Sequence, residues 1–142
     1  MIETDLRSFL LGVPALVALT GDDSNAGKPA RICPVKLPQG SMIGLVYTTI
    51  SKTRDRGFDG RSGYCDARIQ LDFVDLESDG VASYSEAKAA MDAVRNVLDG
   101  YSGPMGGSIV QLAEVDGDRD SWEETVRAYV IGFDVILRFD EG

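Results

Sequence analysis

The sequence predicts an α+β fold, a two-layer sandwich in which a mainly antiparallel sheet of two long hairpins packs against helices. Three observations predict it. Residues 64–73 alternate apolar and polar side chains with a period of two, the mark of a strand with one wet face, and residues 109–115 and 127–139 read as a second hairpin. Apolar residues at spacings of three and four mark helices at the N-terminal end and near residues 83–99. The resulting order, helix, weak strand, hairpin, helix, hairpin, does not demand parallel βαβ units.

Ile2, Leu6, Phe9, Leu10 and Val13 form the first helical stripe, with Thr4 and Asp5 in a first turn near Glu3. Gly12 weakens that helix and Pro14 suits only a first turn, so residues 14–19 make a second short helix. Residues 20–30 contain almost every turn-forming residue type and read as a surface loop. Residues 31–35 fit a short edge strand, because Pro34 lacks the donor a central strand needs. Residues 42–52, rich in β-branched and aromatic side chains, form a strand. Its partner is 64–73, where Cys65, Ala67, Ile69, Leu71 and Phe73 alternate with Asp66, Arg68, Gln70 and Asp72. Residues 53–63 between them form a long hairpin tip. Ser83 and Glu86 match a capping box, which starts a helix at Ser83, and Gly100 stops it. Residues 109–115 and 127–139 make the second hairpin, with a loop over 116–125. In its last strand Tyr129, Ile131, Phe133, Val135, Leu137 and Phe139 share one face, and Val130, Gly132, Asp134, Ile136 and Arg138 the other.

With 142 residues the chain makes one domain, 1–142, large enough to bury a core without disulfides or metal. Its 14 Lys and Arg against 23 Asp and Glu give a net charge of −9, which argues against a surface that coats nucleic acid. The absence of histidine excludes Ser-His-Asp and Cys-His catalysis and histidine metal sites. Cys33 and Cys65 are too far apart for a zinc ribbon or a Cys-x-x-Cys pair and read as reduced thiols. The start lacks the basic region of a signal peptide, and residues 9–19, the longest apolar stretch, fall short of a membrane helix. The expectation is a soluble protein with no membrane partner.

Several motifs fail on detail. Residues 21–28 resemble a phosphate loop, but five residues separate Gly21 from Gly27 and Pro29 replaces the magnesium-binding Ser or Thr. Asp116, Asp118 and Asp120 alternate as in a calcium loop, yet Ser121 and Arg127 stand where Gly and Glu are required, so a solvated acidic tip is expected. Asp66, Asp72 and Asp134 are candidate acid-base carboxylates, although so acidic a domain brings carboxylates together by chance. Neither a cofactor nor catalysis is expected. Trp122 is either a lid on the core or an anchor for a partner. The clearest anomaly is a glycine-rich finger over residues 52–63. Four cations, Lys52, Arg54, Arg56 and Arg61, surround Phe58 there against two anions, Asp55 and Asp59. It is either a solvated loop or a contact for an adjacent subunit or DNA phosphates, since arginine forms forked bonds to both.

Residues 1–11, Val13-Pro-Ala-Leu-Val-Ala-Leu, Leu37-Pro-Gln-Gly, Val46-Tyr-Thr-Thr-Ile-Ser-Lys-Thr-Arg, Leu71-Asp-Phe, Ser83-Tyr-Ser-Glu-Ala-Lys-Ala, Val94-Arg-Asn-Val-Leu-Asp-Gly and the closing strand span nearly the whole chain. Together they resemble the tail completion (tail terminator) family of long-tailed phages, prophages and gene transfer agents. The resemblance implies a hexameric ring that caps the tail tube, ends its polymerisation and joins it to the head connector. The implied partners are copies of itself, the tail tube protein and the connector, with a possible DNA contact in the lumen. The implied place is the head-proximal end of the virion's tail, after assembly in the host cytoplasm. No enzyme activity is implied. Lys52, Arg54, Arg56, Phe58 and Arg61 become candidate subunit or lumen contacts, and Trp122 a candidate partner contact. The alternative is a small cytosolic binding module or enzyme that holds an anionic ligand with the basic loop 52–63.

Overall fold

The helical stripe at the N-terminal end folds as two short helices, α1 (Ile2–Leu10), which buries Ile2, Leu6 and Leu10, and α2 (Pro14–Thr20), which Pro14 opens at a first-turn position. The edge strand β1 (Ile32–Pro34) follows, then the long strands β2 (Ile43–Gly57) and β3 (Gly60–Leu76). Helix α3 (Val81–Leu98) leads to β4 (Gly103–Met105), β5 (Ser108–Glu123) and β6 (Ala128–Asp140). The computed structural model describes residues 1–24, 29–35, 43–57, 60–76, 81–123 and 128–140.

All six strands belong to one sheet in the order β1-β2-β3-β6-β5-β4, with β1 parallel to β2 and every other neighbour antiparallel. Thirteen consecutive pairs, Tyr64 with Asp140 through Leu76 with Ala128, join β3 to β6 without a break. One face of that ladder carries Cys65, Ala67, Ile69, Leu71, Phe73, Ile131, Phe133, Val135, Leu137 and Phe139, all buried in a single core with the apolar faces of the helices. Truncating Phe73, Phe133 or Phe139 to Ala would cost about 3–5 kcal/mol by general experience of buried aromatics.

The two-layer sandwich of antiparallel hairpins is therefore corrected. The chain is mostly sheet, with three short helices, and the six-stranded mixed sheet curls into a half-barrel. Long strands carry the right-handed twist across many residues, and register irregularities at 49/51, 54/56, 110/112 and 116/119 bend them further. The expected hairpin tips are also corrected: residues 53–57 and 60–63 lie in β2 and β3, and residues 116–123 lie in β5. At 116/119, Gly117, at φ 68°, takes the left-handed conformation that admits an extra residue. Helix α3 begins at Val81, two residues before Ser83, so Ser83 is not its N-cap. Gly100 ends that helix as expected, at φ 82°, and its N–H donates to the Ala113 carbonyl.

Arg7 ties α1 to the start of the sheet. Its Nε donates to the Ile32 carbonyl at 2.8 Å and its Nη1 meets Asp23 Oδ2 at 2.6 Å. Asp23 also accepts the Ala30 N–H at 2.9 Å. The Arg7 hydrogen bond, then the Ala30 N–H, hold the Asp23 carboxyl at about 2, below its ordinary 3.8. A depressed carboxylate contributes stability above its unfolded value, and that contribution fades as pH falls from about 3.8 through 2. Because the Asp23 side chain is 43% exposed, water screens the pair to less than about 1 kcal/mol. Asp23→Asn should lower the melting temperature by about 2–4 °C at neutral pH. It should also make the variant's loss of stability between pH 4 and 2 shallower than the parent's in acid melts monitored by circular dichroism.

Candidate assembly surface

Strand β6 ends at Asp140, opposite Tyr64, so the distal ends of β2 and β3 run on as a two-stranded arm. The arm is the outer part of the basic finger, residues 55–57 and 60–63, whereas Lys52 and Arg54 pair with Ala67 and Cys65 beside β6. Arg54 lies opposite Cys65, and Arg56 opposite Arg61, which sets two arginines at facing register positions. Like charges directly opposed across a ladder destabilise it by roughly 0.2–1 kcal/mol. Lys52 sits at the root of the arm, where its Nζ meets Glu3 Oε1 of α1 at 3.0 Å, and Thr49 Oγ1 donates to the same oxygen at 3.1 Å. Burial raises the Glu3 carboxyl, but the bonds from Lys52 and Thr49 outweigh it and the net shift is downward. Phe58 lies outside the described residues.

Trp122 stands far from the arm in strand order, near the end of β5 with β6 and β3 intervening. Its ring lies 4.7 Å from Tyr129, which lies 5.4 Å from Tyr84 of α3. It remains 39% exposed, so it only partly covers the core. The acidic run beside it is not a solvated tip. The extra residue at Gly117 turns Asp118 and Asp120 toward α3, where Asp118 pairs with Arg95, and Asp120 accepts from Tyr84 Oη at 2.6 Å and Lys88 Nζ at 3.1 Å. Among the described residues no group of His, Cys, Asp or Glu is placed to hold a metal ion.

The candidate catalytic carboxylates sit on the sheet face opposite the helices. Asp134 accepts from Arg68 Nε at 2.7 Å and Arg119 Nη1 at 2.9 Å, while Arg119 Nη2 reaches Asp72 at 3.1 Å and Arg68 Nη2 reaches Asp116 at 2.8 Å. Asp66 lies 3.8 Å from Arg138. Burial disfavours the Arg119 charge, but its bonds to Asp72 and Asp134 win and its pKa is raised. Each carboxylate is thus bound to an arginine across strands, which braces β5, β6 and β3 rather than leaving a base free to take a proton. Arg119 crosses β6 at Gly132, whose register partners are Asp72 and Arg119. A Cβ at Gly132 would collide with Asp72 Oδ1 and with the Leu71 carbonyl. Only the polar strand face was legible in the sequence; the placement of Arg119 against Asp72 and Asp134 depends on the 116/119 register change, which left no signal there.

No family model matches the chain, and no curated protein matches it. Among solved structures it is similar to a chain of the virion of a native gene transfer agent (GTA) particle, with a TM-score of 0.56 and 17% identity. The match covers 91% of this chain and 98% of that one, so the two share a fold from end to end.

Gly132→Ala should cost about 1–3 kcal/mol, because a backbone carbonyl must move to admit the methyl group. Thermal melts of Arg119→Met and Gly132→Ala, alone and combined, would show less than additive loss, since both disturb one crossing point.

Proposed function

We propose that this protein is a structural component of a phage-like virion that caps the tail tube as a hexameric ring, ends tube growth and joins the tail to the head connector. The observation that carries this reading is the end-to-end likeness to a chain of a gene transfer agent virion. The sequence resemblance to tail completion proteins points the same way. Asp72, Asp116 and Asp134 are held in ion pairs with arginines of neighbouring strands, as suits a part that is shaped and braced. A ring needs a head-to-tail contact that closes, and therefore two different patches on each subunit. The β2–β3 arm supplies one such patch, directed to an adjacent subunit or to the lumen. The partners are further copies, the tail tube protein and the connector, and the place is the head-proximal end of the tail.

Native mass spectrometry with negative-stain imaging tests the reading. Six-subunit annuli, alone or on tail tubes, are expected. A strict monomer under both conditions, with a melting temperature that rises on adding phosphate or another anion, would instead favour a ligand-binding module. Arg54→Glu with Arg56→Glu should reduce ring formation at least tenfold while the monomer's melting temperature changes by less than about 3 °C.

A further inference from the structure

Among the described residues, the outer sides of β2 and β5 are paired over short stretches: β1 pairs with residues 45–47 of β2, and β4 with residues 108–110 of β5. The link after α3 covers β5 a little further, through Gly100, Tyr101 and the Asp99 carboxylate, which bind Ala113 and Val115. Among the described residues no strand lies beyond residues 48–57 of β2 or 116–123 of β5. Open strand edges present unpaired N–H and C=O groups and invite another chain.

The two edges lie on opposite sides of the sheet and differ in charge and shape. The β2 edge carries Lys52, Arg54 and Arg56 against Asp55, whereas the β5 edge carries Asp116, Asp118, Asp120 and Glu123 against Arg119. Internal ion pairs with Arg68 and Arg95 leave the Asp116 and Asp118 side chains 58% and 53% exposed, so both remain accessible from solvent. Beside the β2 edge, where Val35 turns away at φ 66°, lies a mostly apolar groove of about 360 Å³ lined by Met1, Glu3, Pro34, Val35, Tyr47 and Thr49. Glu3 Oε2 there is buried without a hydrogen-bond partner among the described residues. The β5 edge instead carries Trp122, packed beside Tyr129 yet 39% exposed, a residue type enriched among anchors in a neighbour's pocket.

We infer that the β5 edge of one copy docks head to tail on the β2 edge of the next, with Trp122 entering the groove beside Val35. The occupant is a second copy of this chain, because this one molecule carries both members of the charge pair and both knob and hole. This inference rests on the ring reading and names its interface. A contact between two different edges leaves each copy with one edge still open, so it propagates until it closes.

Two variants test it, each checked for folding by far-ultraviolet circular dichroism. One carries Ile50→Glu and Arg54→Glu on the β2 edge, and the other Ser121→Arg and Trp122→Ala on the β5 edge. Arg54→Glu and Ser121→Arg alone replace either pair if it fails to fold. Each variant alone should stay monomeric under conditions where the parent forms annuli, but a 1:1 mixture retains one live interface and should give heterodimers without rings. If either variant still closes rings, or dimerises by itself, the edge assignment is overturned while the ring reading stands. If the parent forms no ring with or without tail tubes, the ring reading falls and this inference with it.

Discussion

The unbroken ladder between β3 and β6 is the constraint on which the rest depends. Its two faces do opposite jobs because side chains alternate. One face buries five residues from each strand against the helices, where each large apolar side chain contributes roughly 1.5–3 kcal/mol of transfer free energy. The other carries Asp72, Gln70, Arg68, Asp66, Asp134 and Arg138, so a slip of one residue would bury charge and expose the core. Register is therefore fixed at the centre, and everything outward is placed relative to it.

From that centre the sheet grows asymmetrically. The β2–β3 side extends past the end of β6 as an arm with facing arginines. On the β5 side, the bulge at Gly117 sorts neighbouring charges onto two faces, sending Asp116 and Arg119 to the ion network and Asp118 and Asp120 to α3. Exposed ion pairs add little stability individually, about 0–1 kcal/mol each. Their value here is geometric, since they hold long, sparsely buried strands in one arrangement. The proposed ring, in which each copy fits a neighbour on each flank, would call for such stiffness.

Much of this was readable in the sequence where burial sets the pattern. The alternation from Cys65 to Phe73 and from Tyr129 to Phe139, the break at Pro14, the edge character of Pro34 and the stop at Gly100 each reflect a local rule that the fold obeys. What failed lay where charged residues and glycine outnumber apolar ones. Residues 53–57 and 60–63 are polar and glycine-rich, yet they are strand because the β2–β3 ladder continues through them, from Thr53 opposite Asp66 to Gly57 opposite Gly60. The run from Asp116 to Glu123 is strand because α3 supplies Arg95 and Lys88, partners that no local pattern announces. The curl of the sheet arises from register changes spread over four places, which leave no compositional trace. Among the candidate site residues, Arg56 and Arg61 lie in the arm and Lys52 and Arg54 at its root, whereas Trp122 stands on the far edge. The groove at Glu3 and Val35 gave no sequence signal, because it forms between α1 and β2 only after folding.

The central claim is that this subunit works by joining unlike flanks around a hole. A cryo-electron microscopy reconstruction of the protein bound to tail tubes measures that directly. The account predicts a closed annulus on the tube end in which the β2 flank of every subunit meets the β5 flank of the next. Isolated subunits, or pairs related by a two-fold axis through like flanks, would contradict it.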